Sequence, residues 1–323
     1  MALTYTQVTA ITHNLIKDKM TEGVFTGNAF LKRLRMNQEL EEGGLQIFCP
    51  LMTADDTSTT GDFYQRADAL SLDEYDGISA SVHDWKYIYE SVVIYKTDIA
   101  KNGGRLGVLK LIDKKVRQAE LAMAQRMVKA ALSDGTVATG ALSANQFVGL
   151  QAILASSGTY GGISSTDLST WVSYVDDNEG NDRTLTKTIV DKAFDQAHEP
   201  GQGGPSVGLI DKTGFTQLKG LVTAQQRVLR DQGYSTLDGY GHEGTELVYN
   251  GIPHIVENQM PADTLFYVDE EHFKLHVHQD NNMRRQSIKD LETADALLER
   301  IFLYGNVVAS ERKYHSRVND ISD

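Results

Sequence analysis

The chain is poor in the residues that staple a fold or break it. Its 323 residues include one cysteine, Cys49, and five prolines. A single cysteine excludes an internal disulfide framework and any cysteine-based zinc finger, and it suits a reducing cytoplasm. So few prolines argue against long disordered linkers. No apolar run approaches the ~18–20 residues that a membrane-spanning helix needs, and mean hydropathy is −0.33. The opening stretch MALTYTQVTAITHNLIKDKM lacks the charged and apolar regions of a signal peptide. Positive charge is scarce too: 31 Lys and Arg stand against 44 Asp and Glu, a formal net charge of −13. Such a surface repels nucleic acid over most of its extent, which argues against base reading and still allows the chain to lie beside DNA. Neither an internal repeat nor a low-complexity segment is present.

What is there is enough for a sizeable core: 41% of residues are hydrophobic, and the length fits one large domain or two ordinary ones. Residues 4–36 are weakly amphipathic. Val8, Ile11 and Leu15 keep helical spacing, and Phe30, Leu31 and Leu34 form a second stripe, which predicts an arm that packs on something else. Glu41–Gly44 ends it. Leu45, Ile47 and Cys49 alternate with Gln46 and Phe48 as in a strand, with Pro50 as its stop. Val82–Tyr95 reads as a returning strand, with Trp85, Tyr87 and Tyr89 on one face and an apolar end from Val92. Between the two flanks lies Pro50–Gly77, long, polar and acidic. Compact domains rarely keep structureless connections beyond about 12–15 residues unless they have a task. The flanks are expected to pair as an antiparallel ribbon with this stretch as its tip.

Leu109, Ile112, Val116, Ala119, Met123 and Met127 recur at three- and four-residue steps. They predict a helix from Leu106 to Ser133, roughly 40 Å long, a structural spine with its methionines in the core. From Ala141 the elements shorten. Helices are expected at Thr184–His198 and Gly214–Asp231, and strands in DTLFYVD and FKLHVH. A strand pair is expected around Asn250-Gly251, and at the end a strand, a turn at Gly305-Asn306 and a second strand.

Sites of chemistry are thin. His272, His276 and His278 share a strand parity, and His276 with His278 fits half a metal site beside Glu270 or Glu271. The ordinary reading is a solvent-facing strand side, since no second ligand cluster occurs elsewhere. Gly201–Gly208 is glycine-rich but does not follow a strand and open a helix as a dinucleotide fingerprint does, so it reads as a surface loop. The chain contains no Walker A motif and no G-x-S-x-G, and Cys49 in its strand is expected buried rather than reactive. Asp55, Asp56, Asp62, Asp68, Asp73, Glu74 and Asp76 are too many acids to single out a catalytic pair, and they read as a solvated or partner-facing surface. Lys110, Lys114 and Arg117 read as a solvated helix face. Arg312, Lys313, His315 and Arg317 form a small basic patch, expected to meet an acidic neighbour. An arm, a ribbon and a spine with so little of their own chain to bury against point to assembly.

Six segments, in order, resemble the tailed-phage major capsid proteins of the Hong Kong 97 type. They are TGNAFLKRL (Thr26–Leu34), EEGGLQIFCPLM (Glu41–Met52) and SVHDWKYIYESVVIYKTDIAKNGG (Ser81–Gly104), then GLQAIL with TYGGISSTDLSTW (Thr159–Trp171), VYNGIPHIVEN, and YGNVVASERKYHSRV. The resemblance implies an α+β fold: an N-terminal arm (1–44), an extended loop (45–95), a peripheral domain with the spine helix (96–140 plus 285–323) and an axial domain (141–284). It implies that the loop reaches over a neighbouring subunit, with Asp62, Phe63, Tyr64, Arg66, Leu70 and Leu72 as contact candidates beside Arg312 and Lys313. It also implies a non-enzymatic subunit without cofactors. Hexamers and pentamers would build an icosahedral shell around packaged DNA, assembled in the bacterial host cytoplasm, with portal and decoration proteins as possible partners. One member of that family seals its shell with a Lys–Asn isopeptide. Pro50–Gly77 holds no lysine and Lys86 lies at its base, so no such cross-link is expected here. The arm motif begins at Thr26, which leaves no room for a long removable scaffolding segment, so a scaffolding protein, if the shell uses one, is expected to be a separate chain. Alternatives are an encapsulin-like compartment and a soluble metal-dependent enzyme using His276 and His278.

Overall fold

A computed structural model describes residues 28–52, 63–66, 68, 78–101, 105–135, 145–201, 203–222, 246–290 and 294–322. The expected stripe at Val8, Ile11 and Leu15 and the contact candidates Asp62, Leu70 and Leu72 lie outside these residues.

Helix α1 (Ala29–Met36) starts at Asn28, whose side-chain oxygen accepts the Leu31 amide at 3.0 Å, and it buries Phe30, Leu31 and Leu34. Strand β1 (Gln38–Glu41) follows. Strands β2 (Gln46–Met52) and β3 (Ile78–Asp84) form a two-stranded antiparallel ribbon, with Gln46 opposite Asp84 and Met52 opposite Ile78. Pro50 does not stop β2; it sits opposite Ala80 within the ladder. Each strand of a two-stranded ribbon has a free edge, where a residue without an N–H removes no ladder bond. The returning segment is two strands rather than one. After Trp85 the chain leaves the ribbon, and β4 (Lys86–Tyr95) joins a larger sheet.

Helix α2 (Lys96–Lys101) leads to α3 (Arg105–Leu132), the expected spine of 28 residues. Val116, Ala119, Met123 and Met127 are all buried along it. Then come α4 (Leu150–Ile153), a small hairpin of β5 (Thr159–Tyr160) and β6 (Ile163–Ser164), β7 (Tyr174–Asp176), α5 (Lys187–Ala197), β8 (Val207–Ile210) and α6 (Lys212–Leu221). The rest is strand: β9 (Glu246–Tyr249), β10 (Ile252–Val256), β11 (Leu265–Val268), β12 (Phe273–His278), β13 (Arg284–Asp290), β14 (Ala296–Ala309) and β15 (Ser316–Val318). Asn250 and Gly251 have φ of 51° and 81°, the left-handed pair that a tight hairpin between β9 and β10 requires.

Two sheets organise the fold, which is α+β. One joins β1, β12, β14 and β13 in that order, with β4 pairing the other side of β14. It packs against α3, α1 and the segment around Phe147. The other runs β7-β15-β11-β8-β10-β9 and packs on α5 and α6 through Val190, Ala193, Phe215 and Leu218.

Four expectations need correction. The helix expected at Gly214–Asp231 starts at Lys212, because the Asp211 carboxylate caps the Thr213 and Gly214 amides, and it ends at Leu221, where Val222 turns extended. Gly305-Asn306 is not a turn: β14 runs straight through it. A Cβ at Gly305 would lie 2.4 Å from the His276 carbonyl oxygen, so this glycine serves close strand approach. Gly201–Gly208 is not all surface loop, since Val207 and Gly208 are buried in β8. Sheet membership also crosses the expected domain division: Phe273–His278 sits with the spine's sheet, and Ser316–Val318 sits with the other.

Candidate assembly surface

The most distinctive surface is built on β14. Strand residues alternate between two sheet faces. Phe302, Tyr304, Asn306 and Val308 point one way, and Ile301, Leu303 and Val307 point the other, into the core beneath α3. The ribbon lies over the Asn306–Val308 part of the first face. Ile47 and Cys49 of β2, Trp85 and Val308 form one buried cluster. The Trp85 indole N–H donates to the Gly44 carbonyl at 3.0 Å, and its ring lies 5.7 Å from His278. The Asn306 amide donates to the Asp84 carbonyl at 3.0 Å, and the Gln46 side chain donates to Asp84 at 2.9 Å. Further along, the Val82 N–H donates to the Gly161 carbonyl at 2.8 Å, which ties β3 to the β5–β6 hairpin. Gly161 is needed there: a Cβ would meet Ser81 at 2.6 Å.

The histidines lie at this junction. His276 is buried at 5% exposure, not solvent-facing. Its Nδ1 is 2.9 Å from Glu41, and its Nε2 is 3.6 Å from Glu39 and 3.9 Å from the Cys49 sulfur. Burial, followed by Glu39 and Glu41, pushes the Cys49 thiol up to about 11, so it stays a thiol. His83, in contact with Ser81 at 3.1 Å, is held neutral by burial and by nearby His276, with its pKa lowered to about 4. His272 lies before β12 and pairs with Asp269 at 2.6 Å. Among the described residues no three His, Cys, Asp or Glu side chains are placed to hold a metal ion.

Beyond the ribbon the same sheet face carries exposed side chains. Tyr87 and Tyr89 on β4 are 65% and 58% exposed. Tyr87 meets Tyr304 edge-on at 4.7 Å, and Tyr89 lies 6.4 Å from Phe302. The Arg284 guanidinium sits over the Phe302 ring at 5.5 Å. On the opposite face, Glu90 pairs with Arg126 of α3, and Glu299 pairs with Arg285 in a buried contact. A groove of about 510 Å³ runs between β4 residues Lys86–Ser91, Arg126 and the segment Asn145–Phe147.

The other site candidates scatter. Phe63 and Tyr64 are exposed, at 102% and 68%, and Arg66 is exposed. Asp68 accepts the Gln65 amide at 2.6 Å. Lys114 and Arg117 are exposed on α3. The basic C-terminal patch is not a surface patch. Arg312 is 1% exposed, and its guanidinium donates to the carbonyls of Ile153, Trp171 and Ala155 at 2.8, 2.8 and 2.9 Å. It binds backbone turns together, because carbonyls at loop ends need donors. His315 is fully buried, with its pKa lowered to about 4 by burial. Lys313 pairs with Glu199 of the same chain at 3.0 Å. The sequence reading missed the platform of Arg284, Arg300, Phe302 and Tyr304. Its signal was present in the alternation of ERIFLY against KYIY.

The SU10 major capsid protein family matches residues 91–319. The chain belongs to that family. This capsid protein is also similar in fold to solved shells. It matches the capsid asymmetric unit of cyanophage A-1(L) with a TM-score of 0.65 and 17% identity, covering 91% of this chain and 93% of that one. The capsid of the native GTA particle gives a TM-score of 0.61 at 11% identity, with 90% of each chain covered. The encapsulin of Synechococcus elongatus gives 0.50 at 8% identity, with 76% of each covered. No curated protein sequence matches the chain. A phage major capsid fold accounts for the arm-side helix, the spine and the projecting ribbon.

Proposed function

We propose that this major capsid protein closes, through hexamers and pentamers of the Hong Kong 97 type, into an icosahedral shell around a tailed-phage genome. The family match over residues 91–319 carries the reading. Support comes from the ribbon, whose root is anchored in the subunit while Phe48 on its outer side is 61% exposed. In this reading Pro50–Gly77 finds its partners on a neighbouring subunit, and repeated head-to-tail contacts close rings. The subunit works without catalysis or cofactor. It assembles in the host cytoplasm, and scaffolding, portal and decoration proteins are its candidate partners. The shared fold also admits an encapsulin-like compartment; membership in a phage capsid family favours the genome-enclosing shell.

Negative-stain electron microscopy with light scattering on the purified protein tests this. Closed particles, rings, tubes or sheets are expected. A small oligomer unchanged by concentration, crowding and added scaffolding protein would overturn it. Deleting Thr57–Asp73 is expected to leave a subunit that melts normally but forms no closed shell; normal shells from that variant would remove the loop's role.

A further inference from the structure

The spine helix α3 carries a charge unlike the rest of the chain. Its 28 residues hold seven Lys and Arg against Asp113 and Glu120, on a chain whose net charge is −13. Val116, Ala119, Met123 and Met127 turn one face of the helix into the core. Lys114, Gln118, Leu121 and Gln125 recur at three- and four-residue steps on the other face, and all four are exposed; Lys115 and Arg117 are exposed on its flanks. Arg126 lies outside this set, because it pairs with Glu90. The set contains no aromatic side chain, and its one large apolar group is Leu121. It thereby differs from the sheet face that bears Tyr87 and Tyr89. Protein interfaces are enriched in aromatic residues and depleted in lysine. Phosphate oxygens take many of their contacts from Lys, Arg and Gln. A lysine-rich helix face with glutamines and no ring fits a phosphate backbone better than it fits an acidic protein.

We infer that the exposed face of α3 is a docking surface for duplex DNA, which it holds by the phosphates without reading bases. A duplex presents one negative charge per about 1.7 Å of its axis. Lys114, Lys115 and Arg117 lie within one helical turn, so together they face more than one phosphate. The acidic remainder of the chain opposes nucleic acid, which confines the contact to this face and keeps it weak. Weak contacts of this kind let a duplex slide along a surface instead of fixing it there. The inference rests on the shell reading and deepens it: in a closed shell, this face of the spine lines the lumen.

Titration of the purified subunit with a short fluorescent DNA duplex tests it, read by anisotropy over a series of salt concentrations. Binding is expected at low salt, equal for duplexes of unrelated sequence, and lost as salt rises. The double variant K114E/R117E alters two exposed side chains, so its subunit should melt as wild type. Its affinity for the duplex should fall at least tenfold, and the slope of log affinity against log salt should shrink by about 2. K114R/R117K keeps the charges and should bind as wild type. K187E/K212E makes the same charge change at exposed lysines on α5 and α6, and it should bind as wild type too. Equal losses from K187E/K212E and K114E/R117E would mean that net charge alone sets the affinity, which overturns the inference. So would duplex binding unchanged by K114E/R117E, no binding by wild type at low salt, or a polyglutamate peptide displacing the duplex and binding more tightly. Each of these leaves the shell reading intact. Absence of particles from wild type with scaffolding supplied would instead defeat the shell reading.

Discussion

The two ends of strand β14 differ in a way that exposes the logic of the whole subunit. From Glu299 to Tyr304 burial follows the pleat, with Glu299, Ile301 and Leu303 buried and Arg300 exposed, while Phe302 and Tyr304 are half-buried. From Gly305 to Ala309 every residue is buried. The backbone is the same strand throughout. What changes is the cover among the described residues: the ribbon root lies over one end, and the other keeps exposed side chains. A strand buried on both faces serves the subunit's own stability, and a strand that still alternates at a well-packed sheet leaves a face for a neighbour.

Breaking the junction should have the largest effect. A Cβ at Gly305 would sit 2.4 Å from the backbone oxygen of His276, which no side-chain rotation relieves. Gly305→Val is expected to destabilise the subunit by about 4–5 kcal/mol, measured by denaturant unfolding; a normal midpoint would show that β12 and β14 separate freely. Removing the cover comes next. Trp85→Ala deletes the largest side chain of the ribbon-root cluster and its bond to Gly44, at an expected cost of about 3 kcal/mol. Amide exchange in β2 and β3 should rise with it, and exchange confined to β4 would mean that the ribbon is held from elsewhere.

Acid should attack the covered half rather than the open one. His83 has a folded pKa of about 4 against an ordinary 6.5, because burial disfavours its charged form. The unfolded chain therefore binds more protons between those values, and stability falls as pH falls through 6.5 toward 4. The loss by pH 4 is about 3 kcal/mol for this group. His83→Gln should flatten the pH dependence of the isolated subunit's unfolding by one proton; an unchanged slope would place the protonation at His254 or His315, which are lowered in the same way. The smallest stability effect belongs to the open half. Tyr89→Ser should move the melting midpoint by less than about 0.5 kcal/mol, as exposed substitutions do. Its effect should appear in shell yield instead, and a variant with normal yield would show that this ring has no neighbour.

Much of the fold was legible in the sequence because it depends on local pattern. The spine from Arg105 to Leu132 follows from apolar residues at helical steps, and the β9–β10 hairpin follows from Asn250-Gly251. The ribbon was legible as two alternating flanks around a long acidic excursion. Pro50 and Gly305 misled for a shared reason. Each is read in sequence as a break, but a proline at a free edge and a glycine pressed against its neighbouring strand both continue a strand. Arg312 misled differently. Charge in a sequence suggests surface, and only the fold reveals three carbonyls waiting for a donor. His276 is similar: its parity was legible, but the burial of that parity under a ribbon was not.

By itself, then, the sequence determined the elements, the acidity and the order of segments, since propensity, periodicity and charge are properties of neighbours along the chain. It also carried the order of motifs that resembles a shell protein. The tertiary structure decided which half of each amphipathic strand is already covered. That depends on how β2 and β3 fold back over β12 and β14, segments far apart along the chain, as in the contact of Asn306 with Asp84, 222 positions away. A local pattern can mark a face as fit for burial. Only contacts between distant segments show whether the burying partner belongs to the same chain.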